Sequence, residues 1–426
     1  MAAAPKRPTP ASRKKVTPEN LANLGAERLA ELLATFAETR PELKRRLRME
    51  LAAEEGADHL VVEIDKRLAT LGTSRSKVSW RKRASFVGDL DTLRALVAER
   101  LAALDGRLAL DRLWLFMDLA RRLGLRVKDR DGAMGAVFMR GAGDIGALLA
   151  DRRDPGALEP LVEAIARNPG GWLQWLPPVL GQLPAADVES LLARMLLRGG
   201  AGPEWPGVVR LLADAAGDVD AYRETFSSEA LRNPAIAALI ARRLLAVRRT
   251  EEAGQLLAAA RVETRAGRAW LGSEPGPDFE WETAWIDYLD QAGQGDEAQA
   301  ARWASFERTL SIDRARDFVR RLTGFDDVEA EARAQAYAAA APDFDRGLRF
   351  LMGWPALPEA AAMIAARRGE IRLSAEEAEL WAGRLRARFP AAANTLLRKA
   401  AADAFKRRDF ATCDRLTHEA DTIAFD

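Results

Sequence analysis

Asp326, Asp327, Glu329 and Glu331 form the densest acidic run in the chain. Paired carboxylates of this kind can perform acid–base work or hold a hard cation. The run follows Gly324-Phe325 and opens a helical stretch, where Asp326 with Glu329 reads as a capping box. Asp343 and Asp345, just after Pro342, read the same way. Were the chain an enzyme, Asp326, Asp327 and Glu331 would be the first residues to substitute. Gly141-Ala142-Gly143-Asp144-Ile145-Gly146 matches the GxGxxG spacing, whose glycines let backbone amides approach a pyrophosphate at a helix start. That chemistry needs a preceding strand, whereas Ala133–Arg140 has helical character and no βαβ pattern surrounds it, so the glycines read as a helix break. Cys413 and His418 are five residues apart and do not share a helical face, and His59 belongs to another helix. GxSxG, P-loop lysine and HExxH motifs are missing from the sequence. With 1 Cys and 2 His a closed Cys/His zinc site cannot be assembled. The expectation is a protein with no catalytic residue, no cofactor and no metal.

Binding chemistry is better represented. Arg75, Lys77, Trp80, Arg81, Lys82 and Arg83 set five cations around one aromatic ring. Such a patch can contact phosphates while Trp80 stacks on a base. The competing expectation is a solvated helix face with Trp80 turned into the core. Lys6, Arg7, Arg13, Lys14 and Lys15 add a second basic run with no acid among them. Trp172 and Trp175, three apart between Gly171 and Pro177-Pro178, suit either an aromatic docking spot or, more often, buried packing.

The elements that must position these residues are helices. The chain has 426 residues, 48% hydrophobic and 30% charged, and net charge +1. Alanine, leucine, arginine and glutamate dominate, while 3 Tyr and few β-branched residues leave little material for a sheet. Charge is uneven: residues 1–130 hold 27 Lys+Arg against 18 Asp+Glu. The lone cysteine fits a reducing compartment, and the basic N-terminal residues lack the apolar run of a secretory signal. No apolar run approaches the roughly 20 residues of a membrane span, so a cytoplasmic protein is expected.

Three Pro and bare positive charge predict an unordered tail over 1–16. Thr17-Pro18-Glu19 then starts a helix, with Leu29, Leu32, Leu33 and Phe36 as its stripe; Leu43, Leu47 and Leu51 form the next. Leu90 to Leu104 form one long stripe closed by Asp105-Gly106. Breakers such as Asp154-Pro155, Asn168-Pro169, Pro177-Pro178, Gly199-Gly200 and Asn233-Pro234 follow, giving short helices joined by tight turns. Three stretches look alike: one from Ile236, one from Trp281 turning at Gly293–Gly295, and one over 394–420 turning near Arg408-Asp409. Ala238 and Ala253, Ala284, Ala298 and Ala301, and Ala402 and Ala411 are placed where paired helices would approach closely. The expected fold is all-α, an α-solenoid of stacked antiparallel helix pairs, similar to tetratricopeptide repeats in the C-terminal third. The expected divisions are a tail at 1–16, helical regions at 17–128 and 129–272, and a tetratricopeptide-like region at 279–426.

Two long segments carry a family resemblance. One is TPENLANLGAERLAELLATFAETRPELKRRLRMELA at 17–52 with SRSKVSWRKRASFVGDL from Ser74. The other starts WIDYLDQAGQGDEAQAARWASFERTLSIDRARDFVRRLTGFDD at 285 and continues with RFPAAANTLLRKAAADA at 388–404. Together they resemble the bacterial domain-of-unknown-function family numbered six-eight-eight-zero, whose C-terminal part also resembles the helical tails of SWIM zinc-finger proteins. The resemblance implies an all-helical fold and supplies no activity or catalytic residue. A SWIM finger needs clustered Cys and His, which this chain lacks, so zinc-dependent nucleic-acid binding is not implied. The leading functional expectation is a non-catalytic scaffold that binds a partner protein or peptide. The alternative is a nucleic-acid-associated protein that uses the basic tail and Arg75–Arg83.

Overall fold

A computed structural model describes residues 16–152, 156–260, 279–322, 324 and 326–423. Among them there is no strand, and the fold is all-α. The basic tail up to Lys15, Asp154-Pro155 and the irregular stretch at 272–278 lie outside the described residues. Two compact units divide between Thr225 and Phe226.

Unit 1 contains α1 (Pro18–Ala22), α2 (Ala26–Thr39), α3 (Pro41–Glu55), α4 (Ala57–Thr73), α5 (Trp80–Ala95), α6 (Gly106–Gly124), α7 (Ala133–Ala150), α8 (Glu159–Arg167), α9 (Pro169–Leu180), α10 (Ala185–Arg198), α11 (Trp205–Ala216) and α12 (Val219–Glu224). Thr17 caps α1 as expected, its hydroxyl accepting the Asn20 amide N–H at 3.3 Å. Gly25, at φ 83°, then separates α1 from α2. The stripes of α2 and α3 are less buried than their spacing predicts. Leu33, Phe36 and Leu51 are exposed, while Ala37, Met49 and Ala53 are buried. Periodicity marks an apolar face but not whether a neighbour covers it, and α2 packs chiefly on α3. Deeper in the unit, α6 packs against α4 and α7 around Leu60, Ile64, Leu113, Phe116, Val137 and Phe138. The stripe ending at Leu104 is one helical run from α5 through a π-helical segment, Leu96–Leu101.

Two breakers proved to be helix interior. The GxGxxG glycines lie inside α7, and Pro177-Pro178 sit inside α9, which runs on to Leu180. The glycines serve packing: a Cβ on Gly146 would come within 2.6 Å of the Val179 carbonyl oxygen, so α7 and α9 touch backbone to backbone. By length and composition α7 could cross a membrane, yet Val137, Phe138, Ile145 and Leu149 are buried in unit 1.

Unit 2 contains α13 (Pro234–Ala246), α14 (Thr250–Ala259), α15 (Phe279–Gln291), α16 (Gly295–Thr309), α17 (Ile312–Arg320), α18 (Asp326–Ala339), α19 (Phe344–Gly353), α20 (Leu357–Ala366), α21 (Ala375–Leu385), α22 (Pro390–Lys406) and α23 (Phe410–Asp421). Most consecutive helices pack on one another, although α20 packs on α19, α18 and α22 rather than on α21, and the three look-alike stretches share one turn geometry. Arg248, Gly293 and Arg408 take left-handed φ values of 63°, 77° and 64°. The next amide bonds back across the turn in each case: Arg249 to Leu244 at 2.8 Å, Gln294 to Leu289 at 2.9 Å, Asp409 to Ala404 at 3.0 Å. This is the Schellman closure, which satisfies a terminal carbonyl and reverses the chain. Ala238, Ala253, Ala284 and Ala298 are buried at helix contacts as expected. Ala402 and Ala411 are exposed instead, and Ala400, Ala401 and Ala404 make the contact of α22.

Between α15, α16 and α17 lies a buried charged network. Arg302, 0% exposed, binds Asp290, Asp317 at 2.8 Å and Gln299 at 3.1 Å. Arg314 donates to Ser305 at 3.1 Å and Thr283 at 2.7 Å, and Ser305 donates to Glu282 at 2.8 Å.

Candidate functional site

Residues 74–79 leave α4 and enter α5, and residues 125–131 leave α6 and approach α7. One arginine clamps these two loops together. The Arg126 guanidinium donates to the carbonyls of Leu71 and Ser76, both at 2.9 Å, and to the Ser74 hydroxyl at 3.0 Å. Its own carbonyl accepts the Val78 amide N–H at 3.0 Å, and its guanidinium lies over Phe86. Arg83 adds a second tie, donating to the Lys128 carbonyl at 3.1 Å and to Asp131 at 2.5 Å.

The clamp extends the sequence-predicted patch. Arg75, Lys77, Arg81 and Lys82 are exposed, and the second loop contributes Lys128 and Arg130, also exposed. Among the described residues no ion pair engages any of these six. The carboxylates that could neutralise them are committed elsewhere. Asp129 accepts the amides of Met134 and Gly135 at 3.0 and 2.8 Å, and Asp131 holds Arg83. After Trp80, the first turn of helix α5 carries Arg81, Lys82 and Arg83 and no acid. Cations there oppose the helix dipole, so the arrangement is tolerated rather than stabilising, and it concentrates positive potential.

Trp80 departs from the expected packing role. It is 80% exposed, with the Arg81 guanidinium 5.4 Å from its ring centre. As the first residue of α5 it precedes the turns that can reach the core. Leu125, beside the clamping Arg126, is 79% exposed. Exposed Trp80 and Leu125 within a field of free cations form a surface suited to a partly apolar polyanion. Sequence reasoning missed Arg126, Lys128 and Arg130, because nothing in RLGLRVKDR says that this segment returns to residues 74–83.

Several other sequence candidates are engaged within the fold, and the rest stand exposed. Trp172 and Trp175 are buried, edge to face at 5.6 Å, with Trp172 also against Trp114 at 5.8 Å. Glu331 accepts the Trp354 indole N–H at 2.6 Å and the Gln335 amide at 3.2 Å, while Asp326 and Glu329 are exposed. Asp343 caps α19 through the Arg346 amide at 3.1 Å, and Asp345 accepts the Arg372 amide at 3.2 Å. A capping box with both bonds in place lies at Ser374 and Glu377. His59 and His418 are exposed on different units, and Cys413 is half-buried. Among the described residues no three His, Cys, Asp or Glu side chains gather as metal ligands.

The sequence matches the model of a family of unknown function, DUF6880, over residues 11–196 and 205–421. The chain belongs to this family. Both clamped loops fall within the first matched stretch, so the basic surface is part of the DUF6880 region rather than an addition to it. No curated protein and no solved structure matches the chain.

Proposed function

We propose that this DUF6880 protein is a non-catalytic helical interaction protein that binds single-stranded nucleic acid on the basic surface of unit 1. Trp80 carries the proposal: a large ring stands almost fully in water among cations without partners. Phosphates would contact Arg75, Lys77, Arg81, Lys82, Lys128 and Arg130, and one base would stack on Trp80. Every base offers a π-face, so such stacking tolerates any sequence. The shared Schellman turns support a tetratricopeptide-like, solenoid arrangement of hairpins as the scaffold. One half-buried cysteine suits a reducing, cytoplasmic setting. A protein or peptide partner is the second reading, favoured by exposed Leu33 and Phe36 on α2.

The test is binding of a fluorescent single-stranded oligonucleotide, followed against salt. Each neutralised phosphate contributes about −0.7 to the slope of log affinity against log salt. Replacing Arg75, Lys77, Arg81 and Lys82 together with Ala should therefore flatten that slope by up to about 3. Trp80→Ala should weaken binding roughly tenfold or more and leave the slope unchanged. Binding that is absent, or indifferent to salt, removes the proposal. Attachment to anionic vesicles but not to oligonucleotides would assign the surface to lipid.

A further inference from the structure

Unit 1 holds a cleft remote in chemistry from the basic loops. It has a volume of about 180 Å³ and lies between α6, the end of α8 and the start of α9. Its walls are flat: Trp114, Trp172 and Trp175 all line it. One polar group there has no partner. The Trp114 indole N–H is buried and has no acceptor within reach. A buried donor without an acceptor is costly, and native folds rarely leave one unsatisfied. A single water could accept the proton but takes only about 30 Å³, whereas an apolar cavity of roughly 150 Å³ admits a benzene ring.

The charged lining defines the head group. Arg121 and Arg167 border the cleft, against one carboxylate, Asp118. At the wall, the Asn168 side-chain oxygen accepts the Gly171 amide N–H at 3.2 Å, which leaves its NH2 available as another donor. The site is thus rich in donors, poor in acceptors, net positive, and walled by aromatic rings. We infer that this cleft binds a small ring-bearing carboxylate. The ring packs among the tryptophans, one carboxylate oxygen accepts the Trp114 N–H, and Arg121 or Arg167 balances the charge. This site is independent of the nucleic-acid surface, and none of its residues is altered in the variants that test that surface.

The experiment is a nitrogen–proton spectrum of the full chain, in which 11 Trp give separate indole signals. Trp114→Phe identifies the Trp114 signal by its loss. Three probes with one ring and different heads are titrated at neutral pH: benzoate, benzyl alcohol and benzylamine. Benzoate should move the Trp114 signal saturably and bind roughly tenfold more tightly than benzyl alcohol. Trp114→Phe and the exposed-site variant Arg121→Gln should each weaken benzoate severalfold, read by calorimetry. An unmoved Trp114 signal at about 20 mM benzoate overturns the inference and leaves the indole to water. Stronger binding of benzylamine overturns it too, since Asp118 would then set the preference.

Discussion

Arginine plays opposite parts at two sites, one in each unit. In unit 2, Arg302 is fully enclosed and bridges Asp290 and Asp317, while Arg314 is held by Ser305 and Thr283 beside Glu282. In unit 1, Arg75 and Arg81 stand in solvent without carboxylates, and Arg126 beneath them serves only to hold two loops in place. A buried guanidinium must be paired, because desolvation without compensation costs several kcal/mol. An exposed one bears no such cost and keeps its charge for a partner. The residue type is the same, and burial decides whether it acts as structure or as surface. Close approach over a bare glycine occurs in both units, at Gly146 between α7 and α9 and at Gly347 between α18 and α19, whereas α15, α16 and α17 meet over bonded charge.

Removing the buried cation tests this contrast most severely. Arg302→Ala leaves Asp290 and Asp317 with the part-exposed Arg321 as their remaining cation and should cost unit 2 about 3 kcal/mol. Denaturant titration with hydrogen exchange resolved by unit would locate the loss. A cost below about 1 kcal/mol would mean that water replaces the guanidinium without penalty. In unit 1, Gly146→Ala places a Cβ 2.6 Å from the Val179 oxygen and should cost about 1–3 kcal/mol. Gly143, whose Cβ would meet Pro178 only at 3.9 Å, is the control; alanine there should stabilise α7 by up to about 1 kcal/mol.

Acid sharpens the comparison at smaller amplitude. Burial pushes the Asp317 carboxyl up, but hydrogen bonds and charge from Arg302 and Arg321 outweigh it and hold the group below its usual range. A carboxylate lowered on folding contributes stability above its unfolded value, and this is lost as pH falls through the folded one. Unit 2 should therefore weaken below about pH 4, and Asp317→Asn should flatten that dependence in acid unfolding curves. Least affected of all should be the stability of the variant lacking Arg75, Lys77, Arg81 and Lys82. Its change should stay within about 0.5 kcal/mol, because these side chains make no ion pair and Arg81 meets only the exposed Trp80 ring. A larger loss would show that the exposed cations are structural after all.

Much of the helical framework was legible before any coordinates. Thr17 as a cap and the turns at Gly293 and Arg408 follow from local backbone chemistry. Local rules misled where a tertiary neighbour decides. Gly146 and Pro178 look like helix breakers, yet both lie inside helices that pack on each other. The stripe on α3 predicted burial of Leu51, but the covered side is that of Met49 and Ala53.

The candidate surface divides along the same line. Composition and spacing alone identified Arg75 to Arg83 as a cationic run with one tryptophan, since charge and residue type are local properties. Whether Trp80 faced water or the core depended on which helices surround α5. That Lys128 and Arg130 complete the surface depended on Arg126 reaching back some fifty residues to Leu71, Ser74 and Ser76. Likewise, Trp172 and Trp175 announced an aromatic cluster, while the unpaired indole of Trp114 and the cleft beside it exist only because three helices converge. Sequence determines what each segment can form and what charge it carries. Tertiary structure decides which of those groups lose water, because desolvation depends on neighbours that can be distant in the chain.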